Sequence, residues 1–265
     1  MIALRQHPPT GWTIDDLIAD LRAAGIRPGG LLVVHSSLKS IGYVAGGAEA
    51  VVEALVRAVA PAGTVLFPAL TFQGSLTRFL REHDVIDLRQ RPSHNGAIPR
   101  AAGRRGDAVR SIHPTHTVIA IGPAAADLFA GHQDGQGPTG TDSPFARAAM
   151  AGGTIVLIGV DCSTNTTLHC VEEAAAPYTF NGEVFAPLTI DLDGREHRIR
   201  VRGYTTETPR RFASIEPRLL DEGIMTFGRL GSAPLRLCDG RRLLTEVTAW
   251  VRQEPYLLAA PPAGE

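Results

Sequence analysis

Three stretches of the chain combine residue types that can do chemistry. The most pointed is Thr166-Thr167-Leu168-His169-Cys170-Val171-Glu172-Glu173, which reads as a helix following a strand that ends at Val160. Positions three and four apart share one helix face, so His169, Glu172 and Glu173 can gather there. A carboxylate beside an imidazole fixes its tautomer and stabilises the imidazolium, as a general base requires. The same residues would also suit a structural histidine or a metal pair. Zinc would need a third protein ligand, and no HExxH or Cys/His cluster lies nearby, so no metal is expected.

The second stretch is His35-Ser36-Ser37-Leu38-Lys39-Ser40-Ile41-Gly42-Tyr43, followed by Gly46-Gly47, where a predicted strand hands over to a helix. In an open α/β sheet ligands bind outside the carboxyl ends of the strands. Hydroxyls and loop amides there can hold an anion, with the dipole of the following helix adding to them. The spacing is neither GxGxxG nor GxxxxGK[ST], which excludes a Rossmann dinucleotide site and a P-loop. The third stretch is Arg110-Ser111-Ile112-His113-Pro114-Thr115-His116, preceded by Arg100, Arg104 and Arg105. Guanidinium groups suit phosphate, so these residues are either a docking site for a phosphorylated cofactor or a solvated basic face.

The elements that must position these residues are legible from periodicity. Thr13 can cap a helix whose Ile14, Leu17, Ile18 and Leu21 share a face, with Gly25 as its stop. Leu31 to His35, Thr64 to Phe67, Thr117 to Ile121 and Thr154 to Val160 are apolar runs alternating with helical stretches, one of them Gly46 to Ala60. That pattern predicts an α/β fold with a central parallel or mixed sheet flanked by helices on both faces. Val184 to Leu192 and His197 to Tyr204 alternate around Asp193-Gly194 as a β-hairpin would. Leu243, Leu244, Val247, Trp250 and Val251 form an amphipathic C-terminal helix ending before Pro255. We therefore expect residues 1–265 to form one domain, with 180–238 as a smaller β-containing lobe.

Composition bounds the rest. With 44% hydrophobic and 20% charged residues the chain reads as an ordinary globular protein, and a net charge of -1 gives no reason to expect nucleic acid or an anionic membrane as partner. The apolar runs fall short of a membrane span, and the N-terminus lacks the pattern of a signal peptide, so a cytoplasmic location is expected. Cys162, Cys170 and Cys238 are too few and too widely spaced for a disulfide framework.

Taken together, several of these segments resemble one family, the aminoglycoside 3-N-acetyltransferases, whose fold differs from that of the GNAT acetyltransferases. The likeness runs through His35 to Gly42 with Gly46-Gly47, Gly63 to Pro68, Asn95 to Pro99, Arg110 to Pro114, Gly122, Ser143-Pro144, Gly159-Val160 and Leu168 to Glu172. It covers about residues 28–178 well and the remainder loosely. Lys39 stands where the family often has Arg, and Arg100 where it often has an acid.

The resemblance implies acetyl-CoA as donor, the 3-amino group of a 2-deoxystreptamine aminoglycoside as acceptor, and antibiotic resistance as the outcome. On that reading His169 is the general base and Glu172 its orienting partner. His35, Ser36, Ser37, Leu38, Lys39 and Ser40, with Thr71, Arg110, Ser111, Ser143 and Phe145, would bind the CoA, and amides around Ser36 to Lys39 would face the developing oxyanion. A polycationic acceptor calls for an acidic pocket. Between 161 and 200 seven acids stand against three Arg, and Asp161 and Glu173 are the expected acceptor contacts. The protein would work as a monomer or homodimer. Three other readings stay open: acetyl transfer to a different small amine of secondary metabolism, a metal-dependent hydrolase using His113, His116, His169 and Glu172, and a non-catalytic CoA- or nucleotide-binding protein.

Overall fold

The computed structural model describes residues 11–205 and 208–261. Thr13 caps the first helix, α1 (Ile14–Ala23), through a reciprocal bond pattern with Asp16. The chain continues through β1 (Leu31–Ser36), the short α2 (Leu38–Ile41), α3 (Gly47–Val59), β2 (Thr64–Pro68), α4 (Leu76–Glu82) and β3 (Val85–Asp87). Next come α5 (Ala97–Gly103), β4 (Ala108–Arg110), β5 (Val118–Ile121), α6 (Ala125–Phe129), α7 (Pro144–Met150), β6 (Thr154–Ile158) and α8 (Thr167–Ala175). The last part holds β7 (Phe180–Phe185), β8 (Leu188–Ile190), β9 (Glu196–Arg198), β10 (Val201–Tyr204), α9 (Glu216–Asp221), β11 (Met225–Leu230), β12 (Ala233–Asp239) and α10 (Gly240–Gln253).

Seven strands form one mixed sheet in the order β11-β12-β6-β1-β2-β5-β4. Its centre, β6-β1-β2, is parallel, and the strands on either side run antiparallel. Side chains alternate across the sheet. Leu32, Val34, Val65 and Phe67 pack with Leu17, Leu21, Val51 and Leu55 of α1 and α3 on one face. Val33, Leu66, Ile155 and Leu157 pack with Phe145, Leu168, Leu243 and Val247 of α7, α8 and α10 on the other. In α10 the stripe Leu243, Val247 and Val251 is fully buried, and each such side chain contributes about 1.5–3 kcal/mol of burial.

The hairpin around Asp193-Gly194 is present, but it is broken in two. Phe185 pairs with Val201 and Leu188 with Arg198 in one continuous register, while the pairing lapses at Ala186-Pro187, where proline has no N–H to give the ladder. The outer piece joins β3, and a third apolar cluster, including Phe79, Ile86, Leu88, Val201 and Tyr204, lies beneath. The expected lobe of 180–238 therefore divides. Residues 180–204 form the small sheets, whereas β11 and β12 belong to the main sheet, with Leu235 facing Ile158 of β6. Among the described residues no helix is long and apolar enough to cross a membrane.

Candidate active site

The loops after β2 and β6 rise from the carboxyl ends of parallel strands, with β1 between them. They wall a cavity of about 640 Å³ together with His94, Asn95, His116, His169, Tyr204 and the segment from Thr208 to Phe212.

In α8 the three-residue spacing does what the sequence suggests. His169 Nδ1 lies 2.6 Å from Glu172 Oε2. A carboxylate only accepts, so Nδ1 carries the proton and Nε2 is left with its lone pair. The Glu172 side chain is 0% exposed and that of His169 is 25% exposed, so the pair reaches the cavity through the imidazole alone. The ring is held by Tyr204, with centroids 5.3 Å apart, and by the edge of Phe212 at 4.9 Å.

Glu172 has a second partner that no local pattern announces. Arg210 Nε donates to Oε1 at 3.0 Å, and its Nη1 donates to the carbonyls of Thr205 and Thr208 at 2.9 and 3.1 Å. The buried carboxylate thus bridges an imidazole and a guanidinium. Removing one member of such a buried pair is far more costly than removing both.

Beside the cavity lies a second histidine group. His113 and His132 stack with centroids 4.8 Å apart, Thr115 Oγ1 lies 3.2 and 3.0 Å from the Nδ1 atoms of His113 and His116, and Ser111 Oγ lies 3.0 Å from His132 Nδ1. Burial pulls His35 and His132 down to about 3. His113 and His116 also fall well below the ordinary range, through burial first and neighbouring histidines second. On unfolding each regains its usual value near 6.5. Below that pH the unfolded chain binds more protons than the folded one, so stability falls as pH falls, by roughly 1.4 kcal/mol per pH unit for each group. The urea midpoint should drop steeply between pH 6.5 and 4, and His132→Asn should flatten that slope; an unchanged slope would show that this histidine does not stay neutral in the fold.

Comparison with known proteins places the chain. Residues 33–252 match the model of the family described as aminoglycoside 3-N-acetyltransferase. The chain belongs to this family. Aminoglycoside N(3)-acetyltransferase IX of Micromonospora chalcea is 31% identical over 260 residues, covering 88% of this chain and 90% of the relative. The crystal structure of aminoglycoside acetyltransferase AAC(3)-Xa superposes with a TM-score of 0.79 at 30% identity, covering 91% of this chain and 93% of that one. A binary complex of AAC-IIIb with CoASH gives a TM-score of 0.78 at 25% identity, covering 94% and 98%. The enzyme is therefore an acyltransferase.

The acetyltransferase fold brings some of the sequence-expected residues together and separates others. His169 and Glu172 form the pair described above. The loop of Ser36 to Ser40 stands between the two cavity-walling loops, tied to β6 by Ser37 N–H to the Ile158 carbonyl and Ser40 Oγ to Gly159. Among the described residues Ser36 Oγ and His35 Nε2 have no partner; His35 is buried, Leu38 is half-buried and Lys39 is exposed.

Five other residues expected to contact CoA belong to the framework and, like Ser36 to Ser40, do not line this cavity. The Thr71 hydroxyl donates to the Pro114 carbonyl at 2.5 Å, and Ser111 Oγ accepts the Val118 N–H. Ser143 caps α7, and Phe145 is fully buried in the core. Arg110 donates to Thr117 Oγ1 and to the carbonyls of Leu88, Arg91 and Ala69, and burial lowers it to about 10. Its guanidinium fastens the backbone around β4 and has no fork left for a phosphate.

The two expected acceptor contacts are likewise spent elsewhere. Asp161 accepts the Ser163 amide and hydroxyl, which holds its carboxyl below the usual range. Glu173 turns onto the Thr139 amide and hydroxyl and the Tyr204 hydroxyl, and burial raises its carboxyl. Among the described residues no carboxylate lines the cavity, and no three His, Cys, Asp or Glu side chains converge to hold a metal.

Proposed function

We propose that the enzyme transfers the acetyl group of acetyl-CoA directly to the 3-amino nitrogen of a 2-deoxystreptamine aminoglycoside, with His169 as general base and Glu172 holding its tautomer. The observation that carries this reading is the His169–Glu172 pair presented through Nε2 on the wall of the cavity. The relative solved with CoASH supports the choice of donor.

The acceptor nitrogen attacks the thioester carbonyl carbon as a neutral amine. A nitrogen–carbon bond forms, the carbonyl electron pair moves onto oxygen, and the ammonium proton passes to His169 Nε2. The carbonyl then re-forms, the carbon–sulfur bond breaks with its pair on sulfur, and the imidazolium returns the proton to the thiolate. Glu172, buried and charge-paired, stabilises the imidazolium between these steps. Direct transfer agrees with the absence of a GxSxG elbow and with the burial of Cys162, Cys170 and Cys238. Burial and the Glu173 carboxylate keep the Cys170 thiol protonated, which suits packing rather than attack.

We place donor contact in the loop of Ser36 to Ser40, which follows β1 between the two loops that wall the cavity. It depends on Gly159, whose φ of +64° suits glycine and whose Cβ, if present, would stand 2.2 Å from Ser40 Cβ. Gly159→Ala should raise KM for acetyl-CoA several-fold while KM for the amine holds; equal KM values for acetyl-CoA in both proteins would separate this loop from donor binding.

A second reading of the acceptor is another small amine, of lower charge than an aminoglycoside. Release of CoA thiol with aminoglycosides of increasing amine number decides between them. Rates that rise with amine number support the polycation, and rates that fall support the second reading. Expression in a susceptible host should raise the inhibitory concentration of the accepted drugs.

A further inference from the structure

Asn165 is fully buried, yet it is one of the residues that line the cavity. Its Oδ1 accepts the Thr167 N–H at 3.1 Å. That bond fixes which way the carboxamide faces, because the reversed group would set one donor against another. The nitrogen, Nδ2, is left with no partner among the described residues. A buried donor without an acceptor is costly, and natural folds keep few of them. The backbone on either side is equally fixed: Asn165 N–H donates to the Cys162 carbonyl at 3.0 Å, and its own carbonyl accepts the Leu168 N–H at 3.1 Å. The result is a donor without a partner among the described residues, held on a fixed backbone in a residue that lines the cavity four positions before His169.

We propose that Asn165 is the electrophilic residue of this site, its Nδ2–H donating to the thioester oxygen as that oxygen gains charge. The inference rests on the acetyl-transfer reading and adds to it the group that receives the electron pair leaving the carbonyl. A preorganised donor needs no reorientation as charge develops, and this is where such donors act most strongly. The amides expected for this task around Ser36 to Lys39 are less well placed. Ser37 N–H is committed to Ile158 at 2.9 Å, and that loop is not part of the cavity wall.

Asn165→Ala and Asn165→Asp distinguish this role from a structural one. Aspartate keeps an oxygen for the Thr167 N–H, and its charge suits the start of α8, but it puts a negative acceptor where the donor stood. With wild type as the standard in a thiol-release assay, Asn165→Ala should lower kcat about 10²–10³-fold. Asn165→Asp should lose at least as much, with Tm and CoA Kd close to wild type. Near-wild-type turnover by the aspartate variant, or losses that follow Tm, CoA Kd or KM instead of kcat, would overturn the proposal. Failure of wild type to release thiol with any amine would overturn the acetyl-transfer reading and this inference together.

Discussion

Replacing His169 by alanine is expected to lower kcat by about 10²–10⁴-fold, the usual contribution of a positioned general base. On the proposed mechanism, attack by the neutral amine leaves an ammonium on the tetrahedral intermediate, and His169 Nε2, which the Glu172 bond leaves as an acceptor on the cavity wall, takes its proton. The ring is 25% exposed in its side chain and packs against Tyr204 and Phe212, so its removal should leave CoA Kd nearly intact. Loss of CoA binding alongside kcat would instead make this histidine part of the framework.

Glu172→Ala should damage both rate and fold. It removes the acceptor that holds His169 Nδ1 and strands the Arg210 guanidinium, whose side chain is only 20% exposed. Breaking a buried pair on one side typically costs about 3–5 kcal/mol. The double variant Glu172→Gln with Arg210→Met removes both charges, so it should recover most of the urea midpoint and still lack activity. If the single and double variants unfold at the same urea concentration, Arg210 and Glu172 are not coupled in the folded protein.

The parts of the fold that were legible in the sequence are those whose signal is local. Thr13 marks the start of α1, the apolar stripe from Leu243 to Val251 marks α10, and the runs at 31–35, 64–67 and 154–160 became the parallel centre of the sheet. Strand partners are not local information. Nothing in the run from Ala233 to Asp239 announces that it lies beside Val156 and Ile158, and so a segment of the main sheet was read as part of a lobe.

The site divides in the same way. His169 and Glu172 meet because one helix turn makes them meet. Arg110 looked like a phosphate ligand because the sequence does not show that four acceptors already surround its guanidinium. Arg210 carried no signal at all, since it reaches Glu172 across 38 positions of sequence. Asn165 carried none either: the N-cap of α8 is Thr166, and the bond from the Thr167 N–H to Asn165 Oδ1 shows only in the fold.

The central claim is acetyl transfer to a defined nitrogen by the imidazole of His169. The most direct measurement is NMR of the product formed from acetyl-CoA and a 2-deoxystreptamine aminoglycoside, with wild type and His169→Ala run side by side. The account predicts one acetamide, on the 3-amino nitrogen, formed by wild type and nearly absent with the variant. An acetyl group on another nitrogen or on oxygen, or equal product from both proteins, would contradict it.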